Sequence, residues 1–156
     1  MAIQVTIDQV LALAPNTRSN YREAFKNGQA FLDKYEISDT ALRVSHFMAQ
    51  ILQESGGLAF FNENLNYSAN RLSKVWPSKF QPKGTLVPSD YANNPQKLAN
   101  KVYGGRMGNT GPDDGYTYRG RGLLQLTGKD SYKQATDTLQ GDYPQAPDFV
   151  SLPDEK

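Results

Sequence analysis

Cysteine is absent from this chain of 156 residues, so no disulfide can brace the fold and packing alone must hold it. Histidine occurs once, at His46, which is too few for a histidine-built metal centre. His46 falls opposite the apolar stripe of Val44, Phe47 and Ile51, beside Gln50 and Gln53, and reads as a surface or structural side chain. An excess of one charge is also lacking. Seventeen basic residues against sixteen acidic leave +1, which removes the global field a polyanion binder usually carries, so no nucleic-acid partner is expected. No apolar run approaches the roughly 20 residues that cross a bilayer, and Met1 to Pro15 carries neither a positive leader nor a long apolar core. The expectation is a protein made in soluble form, without signal peptide or stable membrane insertion.

What is present suits one globular core. Hydrophobic residues make up 38% and charged residues 21%, and a chain of this length buries about two thirds of its unfolded surface, so residues 1–156 are read as one domain. Thr6 and Gln9 form a capping box ahead of Val10, Leu11 and Leu13, with Pro15 as the stop. A second helix is predicted over about 20–35, presenting Tyr21, Ala24, Phe25, Phe31 and Leu32 across an interrupting Gly28. The clearest helix starts after Asp39, taken as its N-cap, and aligns Val44, Phe47, Met48, Ile51 and Leu52 on one face. Gly56 and Gly57 end it, leaving Glu54 in its last turn.

Further along, Ser68 heads a helix to Val75, Gln81 to Tyr91 reads as a loop, and a short helix covers about 95–102. The glycines between Tyr103 and Gly122, with alternating Tyr116 and Tyr118, predict a small twisted hairpin, the only β-structure expected. Leu123 to Leu126 reads as a buried segment, Ser131 to Leu139 as helix, and Gly141 to Lys156, with Pro144, Pro147 and Pro153, as extended. The basic stretch Lys101 to Lys133 reads as a solvated surface.

Two carboxylates suggest chemistry. Glycosidic cleavage needs a proton donor on one side of the bond and a carboxylate on the other, and Glu54 and Glu63 lie nine residues apart. A helix C-terminus disfavours a negative charge, and burial against Phe47, Leu58 or Phe60 would act the same way, which suits Glu54 to hold a proton as general acid. Glu63, among Asn62, Asn64 and Asn66, has the polar surroundings of an ionised base. Spacing alone leaves both residues open to a purely structural reading. Gly104-Gly105 and Gly120-Arg121-Gly122 lack the strand-to-helix context of a phosphate cradle, so no nucleotide site is expected. Trp76 and Tyr67 are open to either of two uses, stacking on sugar rings or filling a core.

Four segments occur in order: Gln53-Glu54-Ser55-Gly56-Gly57, Glu63-Asn64-Leu65-Asn66-Tyr67-Ser68-Ala69, Tyr103-Gly104-Gly105-Arg106-Met107-Gly108-Asn109, and Tyr118-Arg119-Gly120-Arg121-Gly122-Leu123-Leu124-Gln125-Leu126-Thr127-Gly128. Together they resemble family-19 glycoside hydrolases, in particular the phage endolysin branch beside the plant-type chitinases. The resemblance covers about 40–132. It implies a mainly α, lysozyme-like fold and an inverting mechanism, for which a carboxylate gap of about 6.5–9.5 Å leaves room for water. By the same resemblance Glu54 is the acid, Glu63 the base, and Thr127 the hydroxyl that helps hold the attacking water. Gln125, Tyr67, Asn66, Arg121 and Ser131 are the implied substrate contacts, and no metal or organic cofactor is implied.

The pattern is departed from at Gln53, where the family often has His, and at Ser131, where many relatives carry Asn. Family domains also continue into helices and an Asn-Gly-Gly motif that have no counterpart here. The resemblance thus implies a bacteriolytic enzyme on peptidoglycan strands, held in the host cytoplasm until lysis. A chitinase, a silent peptidoglycan-binding fragment, and a cleft completed by a second chain stand as alternatives.

Overall fold

Thr6 opens α1 (Ile7–Leu13) through the reciprocal pair that the sequence predicts. Gln9 N–H donates to Thr6 Oγ1 at 3.3 Å, and Thr6 N–H donates to Gln9 Oε1 at 2.9 Å. The computed structural model of the protein describes residues 2–142 and 148–150. The single helix expected over 20–35 is two, α2 (Ser19–Asn27) and α3 (Gln29–Lys34), with Gly28 between them. A Cβ at Gly28 would lie 2.5 Å from the Ala24 carbonyl oxygen, so the join requires glycine. Tyr21, Phe25 and Leu32 are buried as expected, but Ala24 and Phe31 are exposed, because the break interrupts the 3.6-residue stripe.

α4 (Ala41–Glu54) is capped by Thr40, not Asp39: Arg43 N–H donates to Thr40 Oγ1 at 3.2 Å, while Asp39 pairs with the Arg43 guanidinium at 3.4 Å. Met48 and Ile51 are buried with Val10, Ala14, Tyr21, Phe25 and Leu58, and Val44, Phe47 and Leu52 pack against them. His46 is exposed, in line with its place opposite the stripe.

The chain divides into two compact units, Met1–Asn62 with Arg121–Gln125, and Glu63–Gly120 with Leu126–Lys156. Helices α1 to α4 belong to the first. The second holds α5 (Ala69–Val75), a 3-10 turn at Pro88–Asp90, α6 (Pro95–Tyr103), α7 (Asp114–Thr117) and α8 (Lys129–Asp142). Its core is Leu65, Leu72, Phe80, Leu98, Ala99 and Val102. The architecture is mainly helical, as a lysozyme-like helical domain requires.

Several expectations are corrected. The hairpin expected between Tyr103 and Gly122 is replaced by α7, and the β-pairing among the described residues is two isolated bridges, Asn62 with Arg121 and Phe80 with Leu86. The reason is tertiary. Tyr116 N–H donates to Asn100 Oδ1 on α6 at 2.8 Å, and a Cβ on Gly115 would lie 2.6 Å from the Ala99 carbonyl oxygen, so the bare glycine lets α7 lie directly on α6. Leu124 and Leu126 are exposed instead of buried, and only Leu123 packs on the first unit's core. Gly141 and Asp142 continue α8 where an extended chain was expected. Pro144, Pro147 and Pro153 lie outside the described residues. Among the described residues no helix is long and apolar enough to cross a membrane.

The basic stretch is not uniformly solvated. Arg119 is buried, donates to the Tyr116 carbonyl at 2.8 Å and stacks 4.1 Å from the centre of the Tyr116 ring. Lys129 pairs with Asp114 at 3.2 Å. The Gly111 N–H, then Lys129 and the Thr110 N–H, hold the Asp114 carboxyl below its ordinary value. A depressed folded value contributes stability that is present above the unfolded value and lost as pH falls through the folded one. Asp114→Asn is therefore expected to cost about 1 kcal/mol at pH 7, between the roughly 0–1 kcal/mol of an exposed ion pair and the roughly 1.5–3 kcal/mol of a buried hydrogen bond to a charged group. Thermal melts from pH 7 down to 2 check this, and the variant's melting temperature should fall less steeply below about pH 4 than the wild type's.

Candidate functional site

In the first unit, Glu54 is the last residue of α4. The turn beneath it explains the composition of Gln53 to Gly57. Ser55 is fully buried, its hydroxyl donates to the Ile51 carbonyl, and it accepts the Leu58 N–H at 2.8 Å. Gly57 N–H donates to the Leu52 carbonyl at 2.7 Å, the long bond of a Schellman closure, and Gly56 and Gly57 take φ of 59° and 70°. A Cβ on Gly56 would collide with the Phe60 ring at 2.6 Å. Glu54 thus stands on a rigid helix end. Its side chain is exposed, not buried as expected, and accepts from Gln50 Nε2 at 3.1 Å, because Leu58 turns into the core and Phe60 faces solvent.

The same unit holds Gln125 and Arg121. Gln125 sits at φ 52° and its Nε2 donates to the carbonyls of Gly122, at 3.0 Å, and Phe61, at 3.3 Å. Arg121 forms the antiparallel bridge with Asn62, whose side-chain Oδ1 is buried and has no hydrogen-bond partner among the described residues. A buried acceptor left unpaired costs free energy, and such groups are rare in folded proteins.

In the second unit, Glu63 is half-buried and held at three points. Its N–H donates to the Gly120 carbonyl at 2.8 Å, the Tyr103 hydroxyl donates to Oε1 at 2.6 Å, and Gly120 N–H approaches Oε2 at 3.4 Å. Burial first, and then the bond to the Glu63 carboxylate, push the Tyr103 hydroxyl well above the ordinary tyrosine value, so it remains a donor at any working pH. Tyr67, implied as a sugar contact, meets Trp76 edge to face at 5.2 Å and packs on the second core, so these aromatics fill structure as well. Asn66 is exposed, and its N–H donates to Asn64 Oδ1 at 2.9 Å. Thr127 and Ser131 are half-buried, Thr127 just before the Gly128 N–H that donates to the Tyr118 carbonyl and Ser131 in the first turn of α8.

The expected residues are thus gathered in two sets. Glu54, Gln125 and Arg121 belong to the first unit, and Glu63, Asn66, Tyr67, Thr127 and Ser131 to the second. Tyr103 is the residue that the sequence reading did not single out. It opens the segment Tyr103 to Asn109, and a tyrosine that closes a helix just before two glycines is the signal the sequence offers. Among the described residues no group of histidine, aspartate and glutamate side chains is arranged to hold a metal ion.

No family model matches the chain. A curated Haemophilus influenzae protein described as a glycosyl hydrolase family 19 domain-containing protein is 46% identical over 88 residues. That stretch covers 55% of this chain and 43% of the relative, so the chain spans less than half of the length of the protein it resembles.

Proposed function

We propose that the protein is a glycoside hydrolase of the family-19 type that cleaves β-1,4 bonds between amino sugars in peptidoglycan, as phage endolysins do. In this reading Glu54 protonates the leaving oxygen, Glu63 takes a proton from water, and the water attacks the anomeric carbon from the opposite face with inversion. Thr127 helps to orient that water, and Asn66, Tyr67, Arg121, Gln125 and Ser131 contact the sugars. The observation that carries the reading is Glu63. A half-buried carboxylate that accepts from a tyrosine hydroxyl and the Gly120 N–H, on a backbone whose own N–H is tied to the Gly120 carbonyl, is pre-organised, as a base that must meet a water in one geometry should be. The 46% identity to a relative whose name carries the family supports it independently.

Purified protein incubated with bacterial sacculi is expected to release new reducing ends. Proton NMR recorded in the first minutes on a soluble β-linked amino-sugar oligomer should show the α-anomer forming first. The β-anomer forming first would replace inversion by retention. Turnover of chitin oligomers with intact sacculi left untouched would move the substrate to chitin.

A further inference from the structure

The contact between α6 and Glu63 deepens this reading and rests on it. We propose that Tyr103 is a positioning residue for the base, fixing Oε1 of Glu63 so that Oε2 is the oxygen presented to water.

The hydroxyl lies 2.6 Å from Oε1, a short bond of the kind made to a charged acceptor. Among the described residues Oε2 meets just the 3.4 Å approach of Gly120 N–H, so one oxygen is committed and the other keeps accepting capacity for a proton from water. Tyr103 can hold the carboxylate because it is itself held. It ends α6, its ring packs on the core of Leu65, Leu98 and Val102, and its carbonyl accepts Asn109 Nδ2 at 3.1 Å. Asn109 is almost wholly buried, its carbonyl accepts Gly105 N–H at 2.8 Å, and its Oδ1 accepts Lys129 N–H at 3.0 Å.

The glycines of the third segment serve the same clamp. Gly105 and Gly108 take φ of 71° and 76°, and a Cβ on Gly108 would fall 2.2 Å from an oxygen of Asp130. Lys129, Asn109, Tyr103 and Glu63 thus form one chain of contacts running from the start of α8 to the base. Tyr67 and Arg106 are the other titratable groups that act on the Tyr103 hydroxyl, in opposite senses. Neither takes the place of the Glu63 bond.

The test is Tyr103→Phe, which keeps the ring in the core and removes only the hydroxyl. On sacculi and on a soluble oligomer, kcat should fall about tenfold to a hundredfold, the fold-change that matches loss of one hydrogen bond to a charged group. KM should stay within about twofold, since the substrate is not touched. In protein labelled with 13Cζ-tyrosine, the Tyr103 resonance should move between wild type and Glu63→Gln, while those of Tyr21 and Tyr35, which make no contact with Glu63, should stay in place. A variant that cleaves like wild type, or a Tyr103 resonance indifferent to Glu63, overturns the positioning role while leaving the enzymatic reading standing. Wild-type protein that cleaves neither substrate overturns both.

Discussion

Glu54→Gln is expected to lower cleavage of sacculi about 10²- to 10⁴-fold, the range that a positioned general acid contributes. The substitution keeps the size of the side chain and an acceptor oxygen, so the α4 terminus should remain folded. Ser55, Gly56 and Gly57 build that turn from below, through Ile51, Leu52 and Leu58, without the carboxylate. The glutamine loses the transferable proton. A sugar alkoxide is a poor leaving group and needs that proton, whereas an activated aryl leaving group does not. The rate ratio between wild type and variant should therefore shrink sharply on an aryl glycoside. Equal losses on both substrates would mean that Glu54 acts by binding or structure, and no loss on either would remove it from the chemistry. At about 1.4 kcal/mol per tenfold, the expected loss corresponds to roughly 3–5.5 kcal/mol of transition-state stabilisation.

Phe80→Ala should cost about 3–5 kcal/mol of stability, the usual range for truncating a buried phenylalanine. Phe80 has no exposed surface, meets Tyr91 edge to face at 5.5 Å, and packs with Leu65, Leu72 and Leu98. Its surroundings have little freedom to collapse into the space left behind. Gln81 N–H donates to the Leu86 carbonyl at 2.9 Å, Leu86 N–H to the Lys79 carbonyl at 3.0 Å, and a Cβ on Gly84 would lie 2.1 Å from the Lys79 carbonyl carbon. A backbone already that close on itself cannot fill a vacated ring volume. With about 2–4 °C of melting temperature per kcal/mol at this chain length, the variant should melt roughly 6–20 °C lower. Leu42→Ala, at a side chain 68% exposed, is the control and should stay within about 0.5 kcal/mol of wild type. A Phe80→Ala loss below about 1 kcal/mol would show that the second core repacks around the gap.

The helices were legible where local chemistry decides them. Thr6 and Gln9 cap α1 with atoms three residues apart, and the stripe through Met48 and Ile51 needs only the 3.6-residue period. The end of α4 was legible because glycine alone takes left-handed backbone cheaply, which placed Glu54 at a helix terminus before any contact was known. Its exposure was not legible, since whether Phe60 or Leu58 turns inward is decided by the packing of the first core.

The hairpin expectation failed at Tyr116 and Tyr118 because a period of two is a weak signal over four residues. The close approach that Gly115 allows to α6 outweighed it. Arg119 looked like surface because an arginine in a basic run usually is, and the Tyr116 ring and carbonyl are among the contacts that make its burial tolerable.

The amino-acid sequence by itself determined the helical class, the capping box of α1, the position of Glu54 at the end of α4 and the four segments that carry the family resemblance. Each of these depends on neighbours within a few residues or on the identity of the residues themselves. The tertiary structure alone decided that Tyr103, forty residues from Glu63 along the chain, closes on its carboxylate, and that Asn109 pins both to the start of α8. Bonds between distant segments form only when the burial of apolar surface repays the entropy of closing the chain between them, and no local pattern records which of them it does.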